Sequence, residues 1–140
     1  VLVGDFRARD LFPVQATALM ALPDRVLTGA LHLQDLGHFT GVAEYSQDVE
    51  LAAVDRNAVL DLGHQTDLFE VSINGRDLGV AAWPPHRLPA GRALRRGRNR
   101  IVLRLVTALG ILSRNYRGVE AEKPPIGLLD QPRLLGCRAP

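Results

Sequence analysis

The side chains able to do chemistry are few and scattered. Glu44, Asp48 and Glu50 fall on one side of the alternating stretch Val42–Leu51, and two carboxyl groups across a scissile bond are what acid–base hydrolysis of a glycosidic linkage uses. The same alternation describes the exposed polar face of a half-buried strand, and that is the better reading; Glu70 and Asp77 are read the same way. His32, His38, His64 and His86 show none of the short repeats of a zinc site. Ser46, Ser72 and Ser113 lack a strand–turn–helix elbow around them, and Cys137 sits beside the C-terminus with no evident base. No catalysis by this chain alone is expected.

Recognition needs less. Sugars are held by aromatic faces and planar polar side chains in concave sites, and Phe39, Trp83, His86, Arg87 and Tyr116 have suitable chemistry. Aromatics make up only 5% of the chain, which argues for a small site or none rather than a broad platform. A lone Trp ahead of Pro84-Pro85 reads first as a core or corner plug, because Trp is on average highly buried. Asn74 has a conformational task in a hairpin ahead of any contact with ligand.

The elements that must position these residues are short strands. Val42–Leu51 alternates with Ala43, Tyr45, Gln47, Val49 and Leu51 on the more apolar side, which should face a core. Arg56-Asn57 predicts a turn, Ala58–Leu62 a strand ended by Gly63, and Leu68–Ile73 a strand with Phe69, Val71 and Ile73 on one face. Asn74-Gly75 supplies the two left-handed residues of a type I′ hairpin, with Leu78–Ala82 as the return strand. Pro84-Pro85 cannot donate ladder hydrogen bonds, so Trp83–His86 must leave the sheet as a corner or edge. Asn99 opens the clearest alternation, Ile101, Leu103 and Leu105, and Ile126–Gly136 offers a closing strand. Before these, Val1–Phe6 reads as a short first strand, Val14–Leu22 as one or two helical turns, and Arg25–Gly41 as a loop-rich connection. Seven or eight short strands with hardly any helix predict an all-β, antiparallel jelly-roll sandwich.

A chain of 140 residues at 46% hydrophobic content is long enough for one domain with a core that needs no staple, so residues 1–140 are expected to form a single sandwich. No apolar run approaches the roughly 20 residues of a membrane span, and no signal segment is evident, so a soluble chain of undetermined compartment is expected. One cysteine excludes an intrachain disulfide. The net charge is +2, and all basic residues but Lys123 are arginine. Arg92, Arg95, Arg96, Arg98 and Arg100 cluster, but Gly and Asn punctuate them and no aromatic interleaves for base stacking. A solvated hairpin edge, and neither a nucleic-acid partner nor a membrane, is the expectation.

Taken together, Val59–Gly63, Phe69–Arg76, Leu78–Val80, Trp83–Arg87 and Gly97–Leu103 resemble the galactose-binding-like β-sandwich domain of family 2 glycoside hydrolases. They also resemble the accessory domain of large family 106-type rhamnosidases. Phe39–Tyr45 is similar to the loop and strand that open this domain, and Thr107–Gly110 with Lys123–Leu129 suits the accessory version better. The similarity runs from about Gly37 to Leu135, with residues 1–36 contributing the first strand and the connection. Each piece alone is weak; their shared order and spacing carry the resemblance. After Arg87 the family usually has an aromatic or acidic lead, where Leu88-Pro-Ala-Gly91 stands here.

The resemblance implies a non-catalytic module beside a catalytic domain that this chain lacks, with a loop at Phe39-Thr40 reaching the substrate cleft. Two alternatives stand beside it: an autonomous carbohydrate-binding module with a site at Trp83, His86 and Arg87, and a structural protein-interaction sandwich. No cofactor is expected. A structural Ca²⁺ occurs in many such sandwiches, but the loop acids Asp24, Asp35 and Asp130 lie far apart in sequence and do not single out a site.

Overall fold

The computed structural model describes residues 28–34, 42–106 and 125–140, and builds them from nine strands, a 3₁₀ turn and no α-helix. The expected first strand at Val1–Phe6, the helical turns at Val14–Leu22, and Phe39, Thr40 and Tyr116 lie outside the described residues. Strands β1 (Gly29–Ala30) and β8 (Gly127–Leu128) pair with each other. Strands β2 (Val42–Leu51), β4 (Leu68–Ile73), β5 (Arg76–Ala81) and β7 (Gly97–Val106) form an antiparallel sheet in the order β2-β7-β4-β5. Strands β3 (Ala53–Asp61), β6 (Arg87–Pro89) and β9 (Arg133–Arg138) form a second, β6-β3-β9. The chain is an antiparallel β-sandwich, as its alternation predicts.

The core collects one side of each alternating strand. Ala43 and Tyr45 from β2, Phe69, Val71 and Ile73 from β4, and Leu103 and Leu105 from β7 are buried in one core with Ala58 and Leu60 of the second sheet and Leu62 just past the end of β3. Gln47 belongs to the predicted inward side of β2 but is exposed. The connection predicted to be loop-rich contains β1 and the 3₁₀ turn Leu31–Gln34, and Leu31 N–H closes on the Ile126 carbonyl at 2.7 Å. No helix among the described residues is long and apolar enough to cross a membrane.

Two local features depart from the alternation. Arg56-Asn57 is no interstrand turn; it lies inside β3 as a bulge. Val54 pairs with Cys137 and Val59 with Leu135, so the extra residues of β3 loop out while the ladder resumes beyond them. Asp55 Oδ1 accepts the Asn57 N–H at 2.7 Å, so the turn-forming chemistry of the segment is used within the strand. The predicted closing strand divides into β8 and β9. Between them Leu129 N–H is held by Gln65 Oε1 at 3.0 Å, which draws the segment away from a continuous ladder.

The Asn74-Gly75 hairpin forms as predicted, with φ of 53° and 77°. Both residues are left-handed, as a type I′ turn requires, and this pins the β4–β5 register at the Ile73–Arg76 pair.

Candidate functional site

Strand β5 ends at Ala81, and the segment Trp83-Pro84-Pro85 crosses from the first sheet to the second, where Arg87 opens β6. The passage is fixed by its backbone: Arg87 N–H donates to the Pro85 carbonyl at 2.8 Å, and the His86 carbonyl accepts the Leu62 N–H at 2.9 Å. Trp83 is the correction. Its side chain is no plug: the residue is 82% exposed, beside exposed Pro84 and Pro85. Two prolines with fixed φ and no N–H carry the chain around the outside of the sandwich, so the preceding side chain projects from the corner instead of into it. His86, three residues on and just ahead of β6, is buried at 3% exposure. Arg87 lies outside with its Nε 2.8 Å from Asp61 Oδ2. The Gly63 N–H on Asp61 and then the Arg87 guanidinium hold that carboxyl below the ordinary range.

Of the candidate ligand-binding residues, the structure thus gathers Trp83, His86 and Arg87 on one segment but gives them different tasks. Trp83 is presented, His86 is enclosed, and Arg87 is tied to the adjacent strand. Exposed apolar residues accompany Trp83 at this end of the first sheet. Val106 pairs with both Val42 and Leu68, and Val80 lies opposite Glu70, one step further along β4. Val42, Leu68 and Val80 are 38%, 36% and 50% exposed. The ladders place these side chains on the solvent face of the sheet, since their neighbours Ala43, Phe69 and Ala81 point into the core.

A cleft with a volume of about 880 Å³ opens elsewhere, between β2 and the segment leading into β9. Leu60 and Leu103 are among its apolar lining, and Gln47, Gln131 and Arg133 among its polar lining. Its size suits a small ligand, and none of Trp83, His86 and Arg87 lines it. No sequence signal marks it, because its walls come from strands far apart in the chain. Tyr45, also in its wall, accepts the Leu128 N–H at 3.3 Å through its hydroxyl oxygen, and burial pushes the phenol above its ordinary pKa.

The carboxylates of β2 lie on the solvent face. Asp48 is gripped by Arg98 at 2.6 Å and approached by Arg100 at 3.8 Å, and the Arg98 hydrogen bond lowers its pKa. A carboxyl held ionised in this way is unsuited to donate a proton near neutral pH. Glu70 pairs with Arg104 at 3.2 Å. Asp67 is raised by burial, opposed by hydrogen bonds from the Thr66 hydroxyl and the Gly127 N–H, and so it anchors the β8 segment. No group of three or more metal-ligating side chains comes together among the described residues. Asp130 serves the fold, its Oδ2 accepting the His64 N–H at 2.7 Å.

The polar cluster that sequence reading missed is built on Asn99. Its residue is fully buried. Its Oδ1 accepts from Arg95 N–H and from Asn74 Nδ2, each at 2.9 Å, and its Nδ2 donates to the Arg95 and Gly97 carbonyls at 2.7 and 2.8 Å. Asn74 Nδ2 also reaches the Ala93 carbonyl at 2.9 Å, and its Oδ1 takes the Arg100 N–H at 3.0 Å. The hairpin residue is therefore also a clamp on the β6–β7 loop. Asn99 was visible in the sequence as the opening of the clearest alternation, but its partnership with a residue 25 positions away was not.

Among solved structures, the chain is similar to a rhamnosidase from Novosphingobium sp. PP1Y, with 29% sequence identity and a TM-score of 0.56. The match covers 69% of this chain and 11% of the rhamnosidase. No family model matches the chain, and no curated protein matches it. The likeness joins this β-sandwich to a small part of a much longer glycoside hydrolase.

Proposed function

We propose that this chain is a non-catalytic accessory module of a glycoside hydrolase of the rhamnosidase kind, galactose-binding-like in fold, that seats on a catalytic domain through the corner at Trp83. The observation that carries the reading is the exposed Trp83-Pro84-Pro85 segment, which leaves the first sheet at the end where Leu68 and Val42 are also exposed. An exposed apolar patch with a Trp at its rim is the sort of surface that a partner covers. The likeness to a small part of a rhamnosidase supplies the kind of partner. The ion-paired state of Asp48 and Glu70 supports a module that leaves bond cleavage to another domain. A loop at Phe39-Thr40 that reaches the substrate cleft is part of the same proposal.

The test is made in the rhamnosidase that carries this module. Trp83→Asp is expected to loosen the module from its neighbour, lowering the melting temperature of the whole enzyme and opening the junction to protease, while the isolated chain keeps its own stability. Incubation of the isolated chain with aryl rhamnosides is expected to give no turnover; turnover that survives repurification refutes the proposal.

The projection of Trp83 favours one second reading, an autonomous sugar site that stacks a pyranose on the indole. Because Trp83 is the single tryptophan, its fluorescence reports on that site directly. An unchanged spectrum at millimolar galactose or rhamnose removes this reading.

A further inference from the structure

The chain carries no Asp or Glu from Leu78 to Val119, while arginines recur throughout. Where these arginines lie on described strands, the fold sets an acid from a neighbouring strand against each: Asp61 for Arg87, Asp48 for Arg98 and Arg100, and Glu70 for Arg104. The loop between β6 and β7 is different. Arg92, Arg95 and Arg96 are exposed, and no ion pair reaches them among the described residues. Arg76, at the start of β5, is also exposed without an ion pair, and its Nη1 donates to the Arg92 carbonyl at 3.2 Å, joining the hairpin and the loop into one rim. The neighbouring Asp77 turns an oxygen to the Gly79 N–H at 2.7 Å.

The backbone beneath these guanidinium groups is fixed. Asn99 and Asn74 bond the loop at Ala93, Arg95 and Gly97, and buried Ala90 and Leu94 anchor it through the Leu94 N–H to Ala90 carbonyl bond at 3.1 Å. Four cations are thus presented from a rigid base with little backbone order left to lose on binding. All are arginines, whose planar fork matches a carboxylate in two parallel hydrogen bonds. Base stacking has no platform here, since no Phe, Trp or Tyr occurs from Pro84 to Asn115. Trp83 itself follows the Ala81 end of β5, whereas Arg76 is at its start.

We infer that the rim formed by Arg76, Arg92, Arg95 and Arg96 binds an anionic glycan whose charges are carboxylates, a polyuronate. The choice of a glycan rests on the accessory-module reading; the anionic character rests on the rim alone. The module would then hold an acidic polysaccharide at the end of the sheet opposite its docking corner.

The experiment is calorimetric titration of the whole chain with an oligogalacturonide of about ten sugars, a neutral maltodextrin of similar length and a single-stranded DNA of about ten nucleotides, at about 20 and about 300 mM salt. The oligogalacturonide is expected to bind at low salt and to weaken about tenfold or more at high salt, with no binding of the neutral sugar. Replacing Arg92, Arg95 and Arg96 together by Gln should weaken binding about tenfold or more at unchanged melting temperature, and Arg96→Glu alone should weaken it in the same direction. Absence of oligogalacturonide binding at low salt, equal binding by the triple variant, or tighter binding of the DNA overturns the inference. Such a failure leaves the accessory-module reading intact, because that reading is tested at Trp83 and by turnover.

Discussion

Asn99 shows how much a single side chain can organise. All of its hydrogen-bonding capacity is used inside the protein, on Asn74 and on the backbone of Arg95 and Gly97. Asn99→Ala would strand those backbone groups, at a cost of about 3 kcal/mol, read as a lowered denaturant midpoint with an unchanged slope. The acids give predictions of both signs. Asp48 and Asp61 are held below the ordinary carboxylate range by their hydrogen bonds, so their stabilisation is present above the unfolded pKa of about 3.9 and is lost as pH falls through the folded values. Melting temperature should therefore drop on acidification, and drop less in Asp48→Asn and Asp61→Asn. Asp67 is raised, so its contribution is present at low pH and is lost as pH rises through its folded value. Asp67→Asn should remove that loss, seen as a flatter melting profile as pH rises above about 4. The alternation of Val42–Leu51 placed Asp48 on the exposed polar face, and there it pairs with Arg98; nothing in the residue order marked Asp61 or Asp67. The buried role of Asn99 was not legible, since an Asn before a strand reads equally well as a turn residue.

At the scale of elements, β4 and β7 follow their alternation, and β2 does so except at Gln47, because strand sides are a period-two property written in consecutive residues. Where the reading failed, the determinants were non-local. Arg56-Asn57 has turn chemistry, but the ladder to β9 resumes at Val59 and Leu135, so the same residues become a bulge. Two glycines separate local from non-local constraint. Gly75 has a φ of 77° with open space where a Cβ would stand; Gly75→Ala should cost about 1 kcal/mol, all of it backbone strain. Gly91 has no such φ, but a Cβ there would collide with the backbone carbonyl of Arg56 in the β3 bulge. Gly91→Ala should cost about 2–3 kcal/mol, and chemical denaturation of the pair should rank them in that order. The reverse order would show that the bulge yields more readily than the hairpin.

For the whole molecule, the buried core and the proposed docking corner fall on different residues. Phe69 is fully enclosed, and Phe69→Ala should destabilise by about 3–5 kcal/mol. Trp83→Ser should change the stability of the isolated chain by no more than about 0.5 kcal/mol, because so little of the residue is covered. A large loss at Trp83 in the isolated chain would remove the corner as a docking surface. Trp83 and His86 mark the limit of sequence reading: both were named as candidates for recognition, yet one projects and the other is enclosed. The sequence by itself determined the sandwich class, the inward side of β4 and β7, and the Asn74-Gly75 turn, since each follows from neighbouring residues and the fixed geometry of the backbone. Only the tertiary structure decided which arginines meet an acid, where the cleft opens, and which way the Trp83 corner faces. Those outcomes depend on how distant strands are brought together, and side-chain pairing across sheets has no periodicity in the chain.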